Sequence, residues 1–438
     1  MTPVERLFSL EHFGIRLGLE AMQVLLAELR HPHRAWPSLH VAGTNGKGSV
    51  SAMASTALTR AGLTVGRYTS PHLFRLEERV AIGGEPVPPE IFAGALGRVF
   101  AAVDTLVARG ALAEVPTFFE VSTAAAFMIF AEARVDVGVI EVGLGGRFDA
   151  TNVIDPVAGA ITTIDFDHER HLGTTLAAIA REKAGIAKPG VPLVVGEVAD
   201  EAWQVIARVA QEAGARVSRA GDGADVQTTL VDGHVRLTVH TPLGDYGPVR
   251  VGLAGRHQAA NAIVAIRLLE AFAAVTGARV GREAVEAGLS DARWPARLEW
   301  LRHPHSGGRV LVDAAHNPAG ARALAAYLGE TGPARFVLVT SVMADKDVPG
   351  VVGPLLPHVG RVVVTRASTA RAMDPRTLAA TVADLGGAGL AVDVVTDPLR
   401  AVEHALALAC GAPVLLAGSI YLVGPARAAL VAGGFEGA

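Results

Sequence analysis

The chain has 438 residues, half of them hydrophobic and 19% charged, with a formal net charge of −4. That composition excludes a largely disordered polypeptide and leaves no overall basic field for nucleic acid, so an anionic ligand must be held by local cations and backbone N–H groups. The single cysteine, Cys410, excludes a disulfide framework or a cysteine-rich zinc site, and burial is the ordinary expectation for it. The length predicts two or three domains. The opening residues, MTPVERLFSLEHFG, lack the apolar core of a signal peptide. No run of about 18 uninterrupted apolar residues marks a membrane span. A cytoplasmic protein with no membrane or nucleic-acid partner is expected.

In chain order, β-branched runs at residues 38–42, 64–68, 135–140 and 158–164 predict buried parallel strands. Helices are predicted over 53–60, 117–133 and 176–188, and the alternation implies a doubly wound α/β domain. Residues 226–251 alternate instead, as in VQTTLVDGHVRLTVHT, with a hairpin turn at Asp232-Gly233; a small antiparallel sheet is expected there. A second α/β pattern follows, with strands at 310–312, 336–340, 362–365, 392–396 and 414–417. The Trp294-Pro295 pair and the turn cluster at 303–308 place the junction near 292–300. The tail, 433–438, is expected to be loose.

Gly43-Thr44-Asn45-Gly46-Lys47-Gly48-Ser49 follows a predicted strand and opens a predicted helix. Glycines there let backbone N–H groups surround phosphates, and the helix N-terminus adds positive potential. Lys47 suits the β- and γ-phosphates, and the Ser49 hydroxyl suits Mg²⁺. The spacing departs from the usual P-loop, since Gly48 intervenes before Ser49.

Ligands collect beyond the carboxyl ends of parallel strands, and several strands here end in polar residues. Ser70, Glu141 and Ser49 offer the oxygen ligands that a hard cation prefers. Taken singly, Ser70 reads as a turn residue, His168 as structural, Lys183 as a solvated helix lysine and Arg297 as a hinge ion pair.

Together these motifs resemble the folylpolyglutamate synthase/dihydrofolate synthase family of the Mur ligase superfamily. GTNGKGS is common to the superfamily; TSPHL (69–73) and GLGGRFDATN (143–152) favour its folate branch, as does FFEVSTAAAF, which by spacing alone is an apolar helix face. FGIRLGLE (13–20) resembles a stretch of bacterial members, and the similarity extends from about residue 12 to 424. The fold implied is α/β. The resemblance implies that residues 1–295 form an ATP-binding, Mur-ligase-like P-loop domain with a mostly parallel sheet and a small antiparallel one. Residues 296–438 form a Rossmann-like ligase domain.

The resemblance implies that Gly43, Thr44, Asn45, Gly46, Lys47, Gly48 and Ser49 bind ATP with Asn261, Arg297 and Asp313. It implies two Mg²⁺ ions held by Ser49, Ser70, Glu141 and His168, with Lys183 carbamylated beside the second. It places Pro71, His72, Leu73, Phe148, Asp149 and Ala150 at the folate or dihydropteroate site. Asp313 and His316, from Asp313-Ala314-Ala315-His316-Asn317-Pro318, are implied to face the nucleotide and reaction centre. Ala296 and Ala314 stand where the family has glycine. Ser341, Asp345, Lys346, Ser419 and Tyr421 are expected near the incoming L-glutamate. The activity implied is an ATP-dependent ligase that works through an acyl phosphate, in a monomer. Two other readings stay open: a peptidoglycan Mur ligase, for which little chain precedes Gly43, and a P-loop switch, which has no use for a second domain with polar strand ends.

Overall fold

The computed structural model describes residues 1–11, 14, 16, 18–332 and 335–437. Phe13, Ile15 and Leu17 of the FGIRLGLE stretch, and Ala438 of the tail, lie outside the described residues. The chain divides into two compact units, Met1–Thr228 with Leu237–Val251 and Ala259–Ala292, and Thr229–Arg236 with Gly252–Gln258 and Arg293–Ala438.

The first unit is built on eight strands: β1 Ser38–Ala42, β2 Val65–Tyr68, β3 Val80–Ile82, β4 Glu85–Pro86, β5 Val137–Glu141, β6 Ala158–Ile161, β7 Pro192–Val195 and β8 Arg216–Arg219. Their order is β4-β3-β2-β5-β1-β6-β7-β8. β1 lies between parallel partners, Val41 against Glu141 and Leu39 against Ala158. All five of its residues are buried, as a strand covered on both faces requires. Only β3 and β4 run antiparallel, at the edge, where Pro86 breaks no central ladder.

Helix Phe118–Glu132 starts with a capping box, in which Thr117 and Glu120 satisfy each other's backbone N–H. It is apolar nearly all round and buried for most of its length, so it is a core helix. Phe127 and Phe130 meet Trp36 edge-on, with centroids 5.5 and 5.6 Å apart. The helix expected at 53–60 starts earlier, at Lys47, because Gly46 at φ 89° turns the chain straight from loop into helix.

Residues 225–254 form a three-stranded sheet of β9 Asp225–Val231, β10 His234–Thr241 and β11 Gly244–Ala254, ordered β11-β10-β9. Asp232 and Gly233 have φ of 50° and 73°, the geometry of a two-residue hairpin turn.

The second unit carries seven strands: β12 Glu299–Arg302, β13 Arg309–Val312, β14 Phe336–Thr340, β15 Val359–Val364, β16 Ala391–Val394, β17 Val414–Ala417 and β18 Glu436–Gly437. The order is β16-β15-β14-β17-β13-β12-β18, parallel except at β12 and β18. Two expectations are corrected here. The tail is tied down: Glu436 and Gly437 pair with Arg302 and Leu301, and buried Phe435 packs edge-on to His303. Cys410 is exposed, because it sits at φ 44° in the turn between helix Pro398–Leu408 and β17.

Two helices, Pro89–Ala108 and His257–Thr276, are long and apolar enough to cross a membrane by length and composition. Their apolar windows are 44% and 50% buried inside the protein, as in core helices. Phe130 is fully buried. Phe130→Ala is expected to cost about 3–5 kcal/mol, seen as a lower urea midpoint by far-UV circular dichroism.

Candidate functional site

β1 ends at Ala42, and the next four residues turn the chain into helix Lys47–Arg60. Gly43 has φ 145°, and a Cβ there would lie 1.9 Å from Thr162 Oγ1. Gly46 has φ 89°, and its Cβ would lie 2.3 Å from Asn261 Oδ1. The loop therefore needs glycine at both positions, for conformation and for space. The residues after β6 clamp it. Thr44 N donates to Thr163 O at 2.8 Å, Asn45 N to Thr163 Oγ1 at 3.0 Å, and Thr162 Oγ1 to Asn45 O at 2.6 Å.

Two lysines meet on one oxygen. Lys47 Nζ donates to Gly43 O at 3.0 Å and to Thr44 O at 3.2 Å, and Lys183 Nζ donates to Gly43 O at 2.9 Å. Lys183 is only 5% exposed, on helix Leu176–Ala184. Burial, and secondarily the Lys47 charge, pull its ammonium down to about 7, against the attraction of Asp167 and Asp149. A solvated lysine is thus the wrong description of Lys183.

Glu141 ends β5 directly beside Val41 and is buried, as is Ser49 on the first turn of the phosphate-loop helix. Ser70 follows β2, whose Tyr68 pairs with Ile140, so Ser70 and Glu141 stand at one sheet edge. The Ser70-Pro71 peptide is cis. His168, at φ 51°, begins the short helix Glu169–Leu172, with its Nε2 3.9 Å from Asp167 Oδ1. Among the described residues, no cluster of three or more His, Cys, Asp or Glu side chains is placed to hold a metal ion.

The GLGGRFDATN stretch folds around Asp149. One carboxylate oxygen accepts from Leu144 N at 2.8 Å, the other from Thr151 N at 3.0 Å and Thr151 Oγ1 at 2.5 Å. Burial still pushes the Asp149 carboxyl up. Thr151 Oγ1 spends its proton on Asp149, so the 2.9 Å contact from His40 makes His40 Nε2 the donor. Burial, with some help from Lys188, pulls His40 down to about 3, so the ring is neutral. Phe148, 37% exposed, offers a flat face backed by the Arg147 guanidinium at 4.3 Å. Ala150 is buried.

In TSPHL, His72 Nδ1 accepts from Arg79 Nε at 2.9 Å, and burial with that charge pulls His72 down to about 4. Glu78 gathers the backbone N–H groups of Leu73 and Arg75 at 2.7 and 2.9 Å, holding the segment in place. His40, Thr162, Thr163, Glu78 and Arg79 went unread in the sequence. The only sequence clue is their closeness to the loop and strand ends.

In the second unit, Asp313 follows β13 and accepts from Leu298 N and Ala315 N, both at 2.8 Å. Burial pushes its carboxyl up, opposed by the Arg297 charge. His257 is pulled down to about 4 by burial and then by Arg297. His316 Nδ1 lies 2.9 Å from Ala314 O, which makes that nitrogen the donor of the contact. Ala296 keeps a glycine-like φ of 57°, so substitution of the glycine has not removed the turn. Ser419 caps helix Ile420–Ala432 by accepting from Tyr421 N at 3.2 Å, and Tyr421 is exposed. Ser341 Oγ accepts from Ala367 N at 3.0 Å, and both Asp345 oxygens are held by Arg371.

Comparison with known proteins gives matches to two family models, the Mur ligase middle domain over residues 91–269 and the Mur ligase glutamate ligase domain over residues 296–420. The chain is 39% identical over 376 residues to a dihydrofolate synthase/folylpolyglutamate synthase of Mycobacterium tuberculosis, covering 83% of this chain and 77% of that protein. The structure of a Mycobacterium tuberculosis folylpolyglutamate synthase complexed with ADP superposes with a TM-score of 0.89 at 35% identity, covering 98% of this chain and 99% of that one. An E. coli FolC in complex with DHPP and ADP gives a TM-score of 0.85 at 30% identity, over 99% of this chain and 98% of that one.

After reductive ¹³C-methylation, the Lys183 NMR signal is expected to titrate near pH 7, while exposed lysines titrate near the ordinary ~10.4. A Lys183 midpoint above about 9 would contradict the dry environment described.

Proposed function

The chain belongs to the dihydrofolate synthase/folylpolyglutamate synthase family of ATP-dependent ligases, and we propose that it adds L-glutamate both to dihydropteroate and to a tetrahydrofolate through an acyl phosphate. The observation that carries this reading is the glycine loop, with Lys47 and Lys183 meeting on Gly43 O beside buried Glu141. The domain roles proposed are ATP binding for residues 1–295 and ligation for residues 296–438. A peptidoglycan ligase or a nucleotide switch has no comparable support.

Amide formation from a carboxylate needs activation. A substrate carboxylate oxygen attacks the γ-phosphorus of ATP, the bond to the β-bridging oxygen breaks, and ADP leaves. The glutamate amine then attacks the acyl carbon, loses a proton and expels phosphate. Backbone N–H groups of residues 43–49 and the Lys47 ammonium are proposed to hold the phosphates, with Asn261 fixed against Gly46. Arg297 suits phosphate oxygens through its planar fork. His316 is proposed to take the amine proton, because the contact of its Nδ1 with Ala314 O fixes the ring on the loop after β13. Asp313 is proposed to orient this segment, since its carboxylate already holds Leu298 N and Ala315 N. Phe148 is proposed to stack on the pterin, beside Asp149, Ala150 and the Pro71-His72-Leu73 segment. Ser419 and Tyr421 are proposed near the incoming glutamate.

The donors Ser49, Ser70 and Glu141 fit Mg²⁺, which takes few protein oxygens and keeps water and phosphate oxygens. His168 is proposed for the second ion. Bound Mg²⁺ would neutralise charge developing on the transferred phosphoryl group. Lys183 is proposed to react with CO₂, its neutral amine forming an N–C bond and releasing a proton, to give a carbamate. An amine pulled down to about 7 is neutral in a large fraction at physiological pH, which supports this step. A cytoplasmic monomer with no nucleic-acid or membrane partner completes the proposal. The net charge of −4 supports the absence of a nucleic-acid partner.

The test is phosphate release from Mg-ATP and L-glutamate with dihydropteroate, tetrahydrofolate or no acceptor, together with product mass. Release with both acceptors, each gaining one glutamate, is expected. Release with tetrahydrofolate alone would restrict the activity to chain extension, and release without any acceptor would revive the switch reading. Lys47→Ala is expected to lower kcat by about 10²–10³. Lys183→Ala is expected to lose activity that bicarbonate does not restore and short carboxylates restore slightly. An active Lys183→Ala protein would sink the carbamate.

A further inference from the structure

Arg67 is used by nothing described so far. It lies on β2 opposite Val139 of β5 in a parallel register. Side chains alternate along a strand, so Arg67, Val139 and Glu141 share one face of the sheet. Arg67 Nη1 reaches Ser55 Oγ of helix Lys47–Arg60, at 3.5 Å, so that helix covers the same face. Ser49 and Ser55 are six residues apart on the helix, about 9 Å along its axis. The guanidinium Nε has no solvent contact. Diagonal neighbours on adjacent strands stand roughly 7–8 Å apart, within reach of a side chain as long as arginine.

Taking a guanidinium out of water is costly without an opposing charge. Burial does lower the pKa of Arg67, and the Glu141 and Glu85 charges oppose that. Arginine stays protonated at ordinary pH regardless. A permanent positive charge therefore shares a sheet face with the carboxylate proposed to bind a cation, in surroundings that screen it poorly.

We propose that Arg67 is a positioning residue for that cation site: it holds the Glu141 carboxylate in place by charge, and that same charge limits how tightly the cation binds. The inference rests on the reading of Glu141 as a cation ligand. A cation that travels with the nucleotide has to leave with it, and a fixed neighbouring charge favours release. Arg67 touches neither substrate nor nucleotide in this account and acts only through Glu141.

The experiment measures Mn²⁺ binding to the full chain with ADP at pH 8, reading free Mn²⁺ by electron paramagnetic resonance. Arg67→Met is expected to bind Mn²⁺ about tenfold more tightly, since one unit charge near a divalent ion in a poorly screened site is worth at least that. Arg67→Lys keeps the charge and is expected to stay within about threefold of the parent. Should Arg67→Met not fold by circular dichroism, Arg67→Gln carries the same expectation. Unchanged or weaker binding in the neutral variant overturns the inference, and so does tighter binding in Arg67→Lys. No Mn²⁺ binding by the parent chain overturns the cation reading itself, a different failure from equal binding by parent and variant.

Discussion

The first unit depends on a single carbonyl oxygen. Gly43 O receives both the Lys47 and the Lys183 ammonium groups. Two like charges so placed, one of them nearly without solvent, cannot both stay protonated cheaply. The cost falls on Lys183, the more buried, and pulls its ammonium down to about 7. The oxygen is held in position by the glycine backbone and by the threonines after β6. A side chain at residue 43 would occupy the space of Thr162 Oγ1. Loop conformation, the loop's seat on β6 and lysine chemistry are thus one constraint.

The same economy runs through the buried carboxylates. Asp149 and Asp313 each sit in a dry place and are held by backbone N–H groups of their own loops. Each then serves as the point on which its loop is wound. In each case burial works against the charge and short hydrogen bonds work for it. Such groups stabilise only while every partner is present, because an unpaired buried carboxylate is far costlier than an exposed one. His40 extends the Asp149 cluster back into β1, beneath the phosphate loop.

Much of the candidate site was legible from residues 43–49, 69–73, 141–152 and 313–318, since ligands collect beyond the carboxyl ends of buried parallel strands. The parts that were not legible are those made by distance in the chain. Asn261 reaches Gly46 across more than two hundred residues, and Arg79 meets His72 only because the intervening segment turns back on Glu78. Ala296 shows the reverse: an alanine stands where the family has glycine, and it adopts the positive φ that favours glycine. Cys410 shows local geometry overriding residue preference, for its turn leaves the thiol exposed.

By itself the sequence determined the α/β class, the positions of the central strands along the chain and the polar residues at their ends, because hydrophobic periodicity and glycine placement are local properties of the chain. Tertiary structure alone decided that Lys183 is dry, that His40 is neutral, that Arg67 lies opposite Val139 and that the tail pairs with β12. Burial and electrostatic neighbours are set by which distant segments pack together, and a protonation state follows from those neighbours rather than from the residue's own identity.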